Sequence, residues 1–165
     1  MIATLMKPKI LVIDDEIGPR ESMRFLLKPD YEVICADSVD EGLQILREQK
    51  PDLVVLDIRM PGKSGIEGLH EIREIDHQVS VIMLTGYGAL KTAQQAIRLG
   101  ANDYVNKPFD TEEMRQLVQR YVQRTSVERR RGDLMLELRE MNTRLLNDLA
   151  DKEHLAAMGE GSAEL

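Results

Sequence analysis

At 51–65 the chain reads PDLVVLDIRMPGKSG, and this stretch decides the fold. Leu53 to Leu56 form an apolar run with no polar interruption, the pattern of a strand covered on both faces of a parallel sheet. Asp57 stands where the apolar run stops, so a carboxylate is carried at the end of a buried strand. Similar short runs occur on both sides: KILVI (9–13), YEVICA (31–36), VSVIML (79–84) and NDYVN (102–106). The first leads directly into a second acidic site, Asp14-Asp15.

The stretches between these runs carry helical signals. Pro19 suits the first turn of a helix bearing Met23, Phe25, Leu26 and Leu27. Ser38 and Glu41 predict a capping box ahead of Leu43, Ile45 and Leu46. Ile66, Leu69, Ile72 and Ile75 recur on one face. Ala89 to Leu99 predicts a fourth helix stopped by Gly100. Asp110 and Glu113 begin a fifth, with Met114, Leu117, Val118, Tyr121 and Val122 on one stripe. Five strands alternating with five helices predict an α/β domain, a doubly wound parallel sheet of the flavodoxin-like (βα)5 kind with strand order 2-1-3-4-5. Such a sheet opens a crevice at the C-terminal ends of strands one and three.

Beyond residue 124 the character changes. From Val127 to Leu165 there is no proline and no aromatic residue. Val127, Arg131, Leu134, Leu138, Met141 and Leu145 follow alternating steps of four and three, an a/d seam interrupted by Arg131, and Leu149 adds a stutter-like shift. The boundaries expected are a first domain at 7–124 and a coiled-coil helical linker at 125–165, continuous or nearly so with the fifth helix.

The 165 residues carry a formal net charge of −7. That balance speaks against direct nucleic-acid or membrane-surface binding. The basic run Arg129–Arg131 is flanked by Glu128 and Asp133. The one cysteine, Cys35, lies in an apolar stretch and is expected as a small core residue of a protein in a reducing cytoplasm. No apolar run approaches the ~20 residues of a membrane helix, and the first residues do not have the form of a signal peptide.

Chemistry is expected at the crevice. The predicted strand order brings Asp14, Asp15 and Asp57 together, and like charges so placed oppose ionisation. A hard dication such as Mg2+ resolves the conflict through oxygen ligands. Lys107 lies just beyond the fifth strand and Thr85 just beyond the fourth, both at the same rim. A cation, a hydroxyl, a metal cluster and a spare carboxylate are the parts needed to hold a phosphoryl group in line, and aspartate is a nucleophile in covalent phosphoryl transfer. Each residue alone has a plainer role as a cap, a turn or a β-former. Five of them at the ends of four strands carry the inference together. His70, His77 and His154 have no metal-ligand spacing.

The segments ILVIDDE, LVVLDIRMPGKSG, VIMLTGYG and GANDYVNKPF resemble the signature blocks of response-regulator receiver domains, in order and at family spacing, over residues 7–124. The resemblance implies that Asp57 is the phosphoryl acceptor, assisted by Thr85 and Lys107. It implies that Asp14 and Asp15 bind Mg2+, Asp15 directly, with Asp57 and the main-chain carbonyl of Arg59 as further ligands. Pro108 would follow a cis bond, and Thr85 and Tyr104 would be the switch residues. Arg59 and Tyr87, two positions past Asp57 and Thr85, would hinder the water that hydrolyses the phosphoryl-aspartate. The phosphodonor implied is a histidine kinase or phosphotransfer protein.

The tail EHLAAMGEGSAEL is similar to the stretch before the phospho-accepting histidine of a histidine kinase dimerisation helix. The expectation is a piece of a receiver–coiled-coil–kinase protein, homodimeric and parallel through the C-terminal helix, with a diguanylate cyclase or other dimeric effector as the alternative output. The receiver is expected to catalyse its own aspartyl phosphorylation, and the catalytic part of a histidine kinase parent is expected to be absent from this piece. Three rival readings fit less well. A nucleotide or flavin binder wants a glycine- or hydroxyl-rich phosphate loop where DDEIGPRES places acids. A haloacid-dehalogenase-type phosphatase wants Asp-x-Asp on one strand. A pure coiled-coil scaffold has no use for the acidic cluster.

Overall fold

The computed structural model describes residues 6–86 and 90–163. Five strands alternate with five helices: β1 (Lys9–Ile13), α1 (Ile17–Leu27), β2 (Glu32–Ala36), α2 (Val39–Gln49), β3 (Leu53–Asp57), α3 (Gly65–Ile75), β4 (Ser80–Thr85), α4 (Leu90–Arg98), β5 (Asp103–Asn106) and α5 (Thr111–Ala163). All pairings are parallel and the order is β2-β1-β3-β4-β5, the predicted flavodoxin-like arrangement. Every residue of β3 and β4 is buried, which is why their sequences run apolar without alternation.

Each face of the sheet supports its own core. On one side Leu11, Ile13, Val54, Leu56, Val81 and Met83 pack with residues of α2, α3 and α4, including Leu43, Leu69, Ile72 and Ala96. On the other, Ile10, Val12, Leu53, Val55, Ile82 and Leu84 meet Met23 and Leu27 of α1 and Met114, Val118, Tyr121 and Val122 of α5. Phe25 takes no part in this core. It is 73% exposed, with the Lys28 ammonium 5.0 Å from its ring centre. The helix repeat places residues 23 and 27 on the inner face and turns residue 25 outward.

The caps follow the sequence signals closely. The Ser38 hydroxyl accepts from the Glu41 N–H at 3.2 Å, but the Glu41 carboxylate accepts from the Asp37 N–H at 3.2 Å rather than from Ser38. Asp110 accepts from Glu112 and Glu113 N–H groups at 2.8 and 3.1 Å. At the end of α4, Gly100 has φ +107°, and the Ala101 N–H reaches Ala96 O while the Gly100 N–H reaches Ile97 O. This is the paired 6→1 and 5→2 closure that favours glycine. Ala89, expected to open α4, lies outside the described residues.

The N-terminal rim of the sheet is tied by two groups of bonds, the second of them fully buried. The Arg73 guanidinium donates to the carbonyls of Gly100, Asp76 and Val79 and to the side chain of Asn102. Thr125 and Ser80, 0% and 1% exposed, share a hydroxyl bond of 2.8 Å. The Ser80 N–H donates to Thr125 Oγ1, and the Tyr121 carbonyl lies 3.1 and 3.0 Å from the Ser80 and Thr125 hydroxyl oxygens, an acceptor for whichever hydrogen the shared bond leaves free.

The chain divides into two units, residues 1–126 and 127–165. The second is helical throughout its described part. Its large apolar side chains stand open: Val127, Leu134, Leu138, Met141, Leu145 and Leu149 are each 51–57% exposed. Among the described residues no helix is long and apolar enough to cross a membrane.

Candidate functional site

The site is built where three strands stop. β1 ends at Ile13 and delivers Asp14, whose N–H is held by the Ala36 carbonyl of β2 at 3.1 Å. β3 ends on Asp57, opposite Leu84 of β4. The turn after Asp57 is tight. A Cβ on Gly65 would lie 2.3 Å from the Asp57 carbonyl oxygen, so only a hydrogen fits there. Gly62, at φ +79°, supplies the left-handed step that the turn requires. Lys63 anchors the same turn with bonds to Asp40 at 2.9 Å and to both Glu71 oxygens at 3.0 Å.

Asp14, Asp15 and Asp57 converge, each offering one carboxylate oxygen within 4.8 Å of the others. Asp14 is 0% and Asp57 4% exposed. Lys107 reaches in from beyond β5, its ammonium 3.2 Å from Asp14 Oδ2 and 3.1 Å from Asp57 Oδ2. The second oxygens are also engaged: the Glu16 N–H donates to Asp14 Oδ1 at 2.9 Å and the Arg59 N–H to Asp57 Oδ1 at 3.3 Å. The Lys107–Pro108 bond is cis.

Burial raises the Asp57 carboxyl above its ordinary value. The Lys107 bond and charge oppose this, the Asp14 charge adds to it, and the Arg59 N–H opposes it. Burial pulls the Lys107 ammonium down, but the bond and charge of Asp57 and the charge of Asp14 outweigh it, and its pKa is raised. Three carboxylates facing one ammonium leave two negative charges, the deficit a single divalent cation would fill. The donor set is all oxygen, which suits Mg2+ rather than a thiophilic metal.

Thr85, 1% exposed, sits at the same rim, but its hydroxyl is turned to β5 and donates to Asn106 Oδ1 at 2.7 Å. Tyr104 is half-buried and packs against the core on the α3–α4 side of the sheet. Tyr87 lies outside the described residues. The structure thus brings Asp14, Asp15, Asp57 and Lys107 together, with Arg59 contributing its N–H and Thr85 standing one strand away. Two residues escaped sequence reasoning. Asn106 neighbours Lys107 and could have been noticed as a polar residue on a strand. Arg20, whose guanidinium holds the Asp14 carbonyl at 2.8 Å, had no signal beyond its place in the first helix.

Comparison with known proteins identifies the family. The family profile described as response regulator receiver domain matches residues 10–119. Regulatory protein AtoC of Escherichia coli is 40% identical over 123 residues, covering 73% of this chain and 26% of that protein. Sporulation initiation phosphotransferase F of Bacillus subtilis is 38% identical over 119 residues, covering 72% of this chain and 96% of that protein. The chain therefore spans about a quarter of the first relative and nearly all of the second. A crystal structure of a response regulator receiver domain protein from Clostridium thermocellum superposes with a TM-score of 0.70 at 38% identity, covering 73% of this chain and 98% of the other.

Proposed function

The chain belongs to the response regulator receiver family, and from that premise we propose that it takes a phosphoryl group onto Asp57 and relays that event through its C-terminal helix. The observation that carries the reading is the buried Asp57 carboxylate, 3.1 Å from an ammonium that also bridges to Asp14. A histidine kinase or phosphotransfer protein is the donor. An Asp57 carboxylate oxygen forms the new bond to phosphorus while the bond from phosphorus to the donor nitrogen breaks, and the nitrogen keeps the electron pair.

Asp14, Asp15, Asp57 and the Arg59 carbonyl would hold Mg2+, which when bound offsets the charge of the phosphoryl oxygens. Lys107 is already placed to follow the transferred group, exchanging its contact with Asp57 Oδ2 for one with a phosphoryl oxygen. Thr85 offers a hydroxyl to another of those oxygens, and Tyr104 answers the movement on the outer face. The protein works in the cytoplasm, with residues 7–124 as the receiver and 125–165 as a coiled-coil linker. The linker pairs with that of a second copy and leads to an output domain, a histidine kinase in the reading best supported by the tail sequence or else a diguanylate cyclase or another dimeric effector.

Incubation with Mg2+ and a small phosphodonor such as acetyl phosphate tests the central step. One acid-stable, hydroxylamine-labile phosphate per chain is expected, and none on Asp57→Asn. Equal uptake by that variant defeats the assignment.

A further inference from the structure

We propose that Asn106 is a positioning residue for Thr85, holding the hydroxyl turned away from Asp57 until a phosphoryl group competes for it. The inference rests on Asp57 being the acceptor. A threonine hydroxyl has one hydrogen to give. Here it goes to Asn106 Oδ1 at 2.7 Å, with the Val105 carbonyl a more distant acceptor at 3.5 Å. A hydroxyl engaged in this way cannot at the same time donate towards the neighbouring strand end.

The backbone around Thr85 does not share this freedom. Its carbonyl accepts from the Lys107 N–H at 2.8 Å, and the preceding Leu84 carbonyl accepts from the Ile58 N–H at 3.0 Å. Thr85 lies in register with Asn106 on one side, while Leu84 pairs with Asp57 on the other. With both flanks bonded, the change left to Thr85 is rotation about χ1 between staggered positions. Asn106 then sets how readily that rotation occurs. Asparagine is a poor strand former, and at the end of β5 a β-branched residue would suit the backbone better. What asparagine supplies there, and valine would not, is the acceptor oxygen.

Breaking the latch is part of the work of activation, so removing it should favour the phosphorylated form. The net worth of one hydrogen bond corresponds to roughly three- to tenfold in affinity. The test is a 19F NMR titration of the full 165-residue chain with beryllofluoride, a phosphoryl mimic, at saturating Mg2+. Asn106→Val is expected to bind about three- to tenfold more tightly than the unaltered chain. In a Thr85→Val background, which binds more weakly, the same change should make no difference. Asn106→Ala repeats the comparison without added bulk at the edge strand.

Equal affinity of the Asn106 variants and the unaltered chain overturns the latch. So does an equal gain in the Thr85→Val background, since Asn106 would then act by another route. If the unaltered chain fails to bind beryllofluoride at all, the reading of Asp57 as acceptor falls first.

Discussion

At the scale of single residues, the site is a set of charges that the fold holds together against their preference. Asp57 has a raised pKa, so the native chain keeps this proton to higher pH than the unfolded chain does. Stability then falls as pH rises from the ordinary carboxyl value of 3.8 through the raised folded value, and levels off once the group is ionised. Asp57→Asn removes the penalty. In metal-free buffer at pH 7 it should melt higher than the unaltered chain. The difference should vanish below pH 3.8 and shrink when Mg2+ is added, because the cation binds only the unaltered folded chain well. A thermal melt series in pH and Mg2+ checks all three. Gly65 gives a second prediction. An alanine Cβ would press on the Asp57 carbonyl, so Gly65→Ala should cost about 1–3 kcal/mol by denaturant titration and slow phosphorylation as well.

At the scale of elements, much was legible in the sequence because strand, turn and cap are local signals. LVVL announced a doubly covered strand, and Gly100 announced the end of α4. The placing of Asp14, Asp57 and Lys107 followed from strand order alone. What was not legible depends on partners far apart in the chain. Ser80 and Thr125 look like ordinary polar residues until α5 is laid along the sheet, where they share a buried bond across 45 positions. The Thr85–Asn106 contact likewise depends on rotamer and register, which no periodicity reports. The Ser80–Thr125 cluster makes its own prediction. Thr125→Val leaves the Ser80 N–H without its acceptor in a buried place and should destabilise the receiver by about 1–3 kcal/mol. Ser80→Ala, which keeps the N–H bond to Thr125, should cost less. Urea unfolding of the two variants ranks them.

At the scale of the whole molecule, the open apolar side chains of residues 127–149 are what the proposed pairing of two copies would cover. Burying such a residue is worth about 1.5–3 kcal/mol, so a helix that leaves nine of them exposed favours a partner helix. Sedimentation of the full chain should show a dimer, and the chain cut after Ser126, which keeps the buried Thr125 bonds, should be monomeric or at least tenfold weaker. A monomeric full chain at high micromolar concentration would remove the tail as an interface. Arg131 in the seam predicts a further trend. If two copies pair in register, their arginines meet, so Arg131→Leu should tighten the dimer several-fold and lower its dependence on salt.

The Arg73 knot has a consequence for how the molecule opens. One guanidinium joins the end of α3, the segment leading into β4 and the turn before β5. Those three crossings of the chain cannot loosen separately while it holds. The N–H of Val79 bonds to Asp76 Oδ1, that of Val81 to Asn102 Oδ1, and that of Asn102 to the Val81 carbonyl. In native-state hydrogen exchange these amides should therefore report one shared opening energy, as members of a single cooperative unit. Arg73→Lys, with a single point charge in place of a planar fork, should split that unit and let the three exchange at different rates.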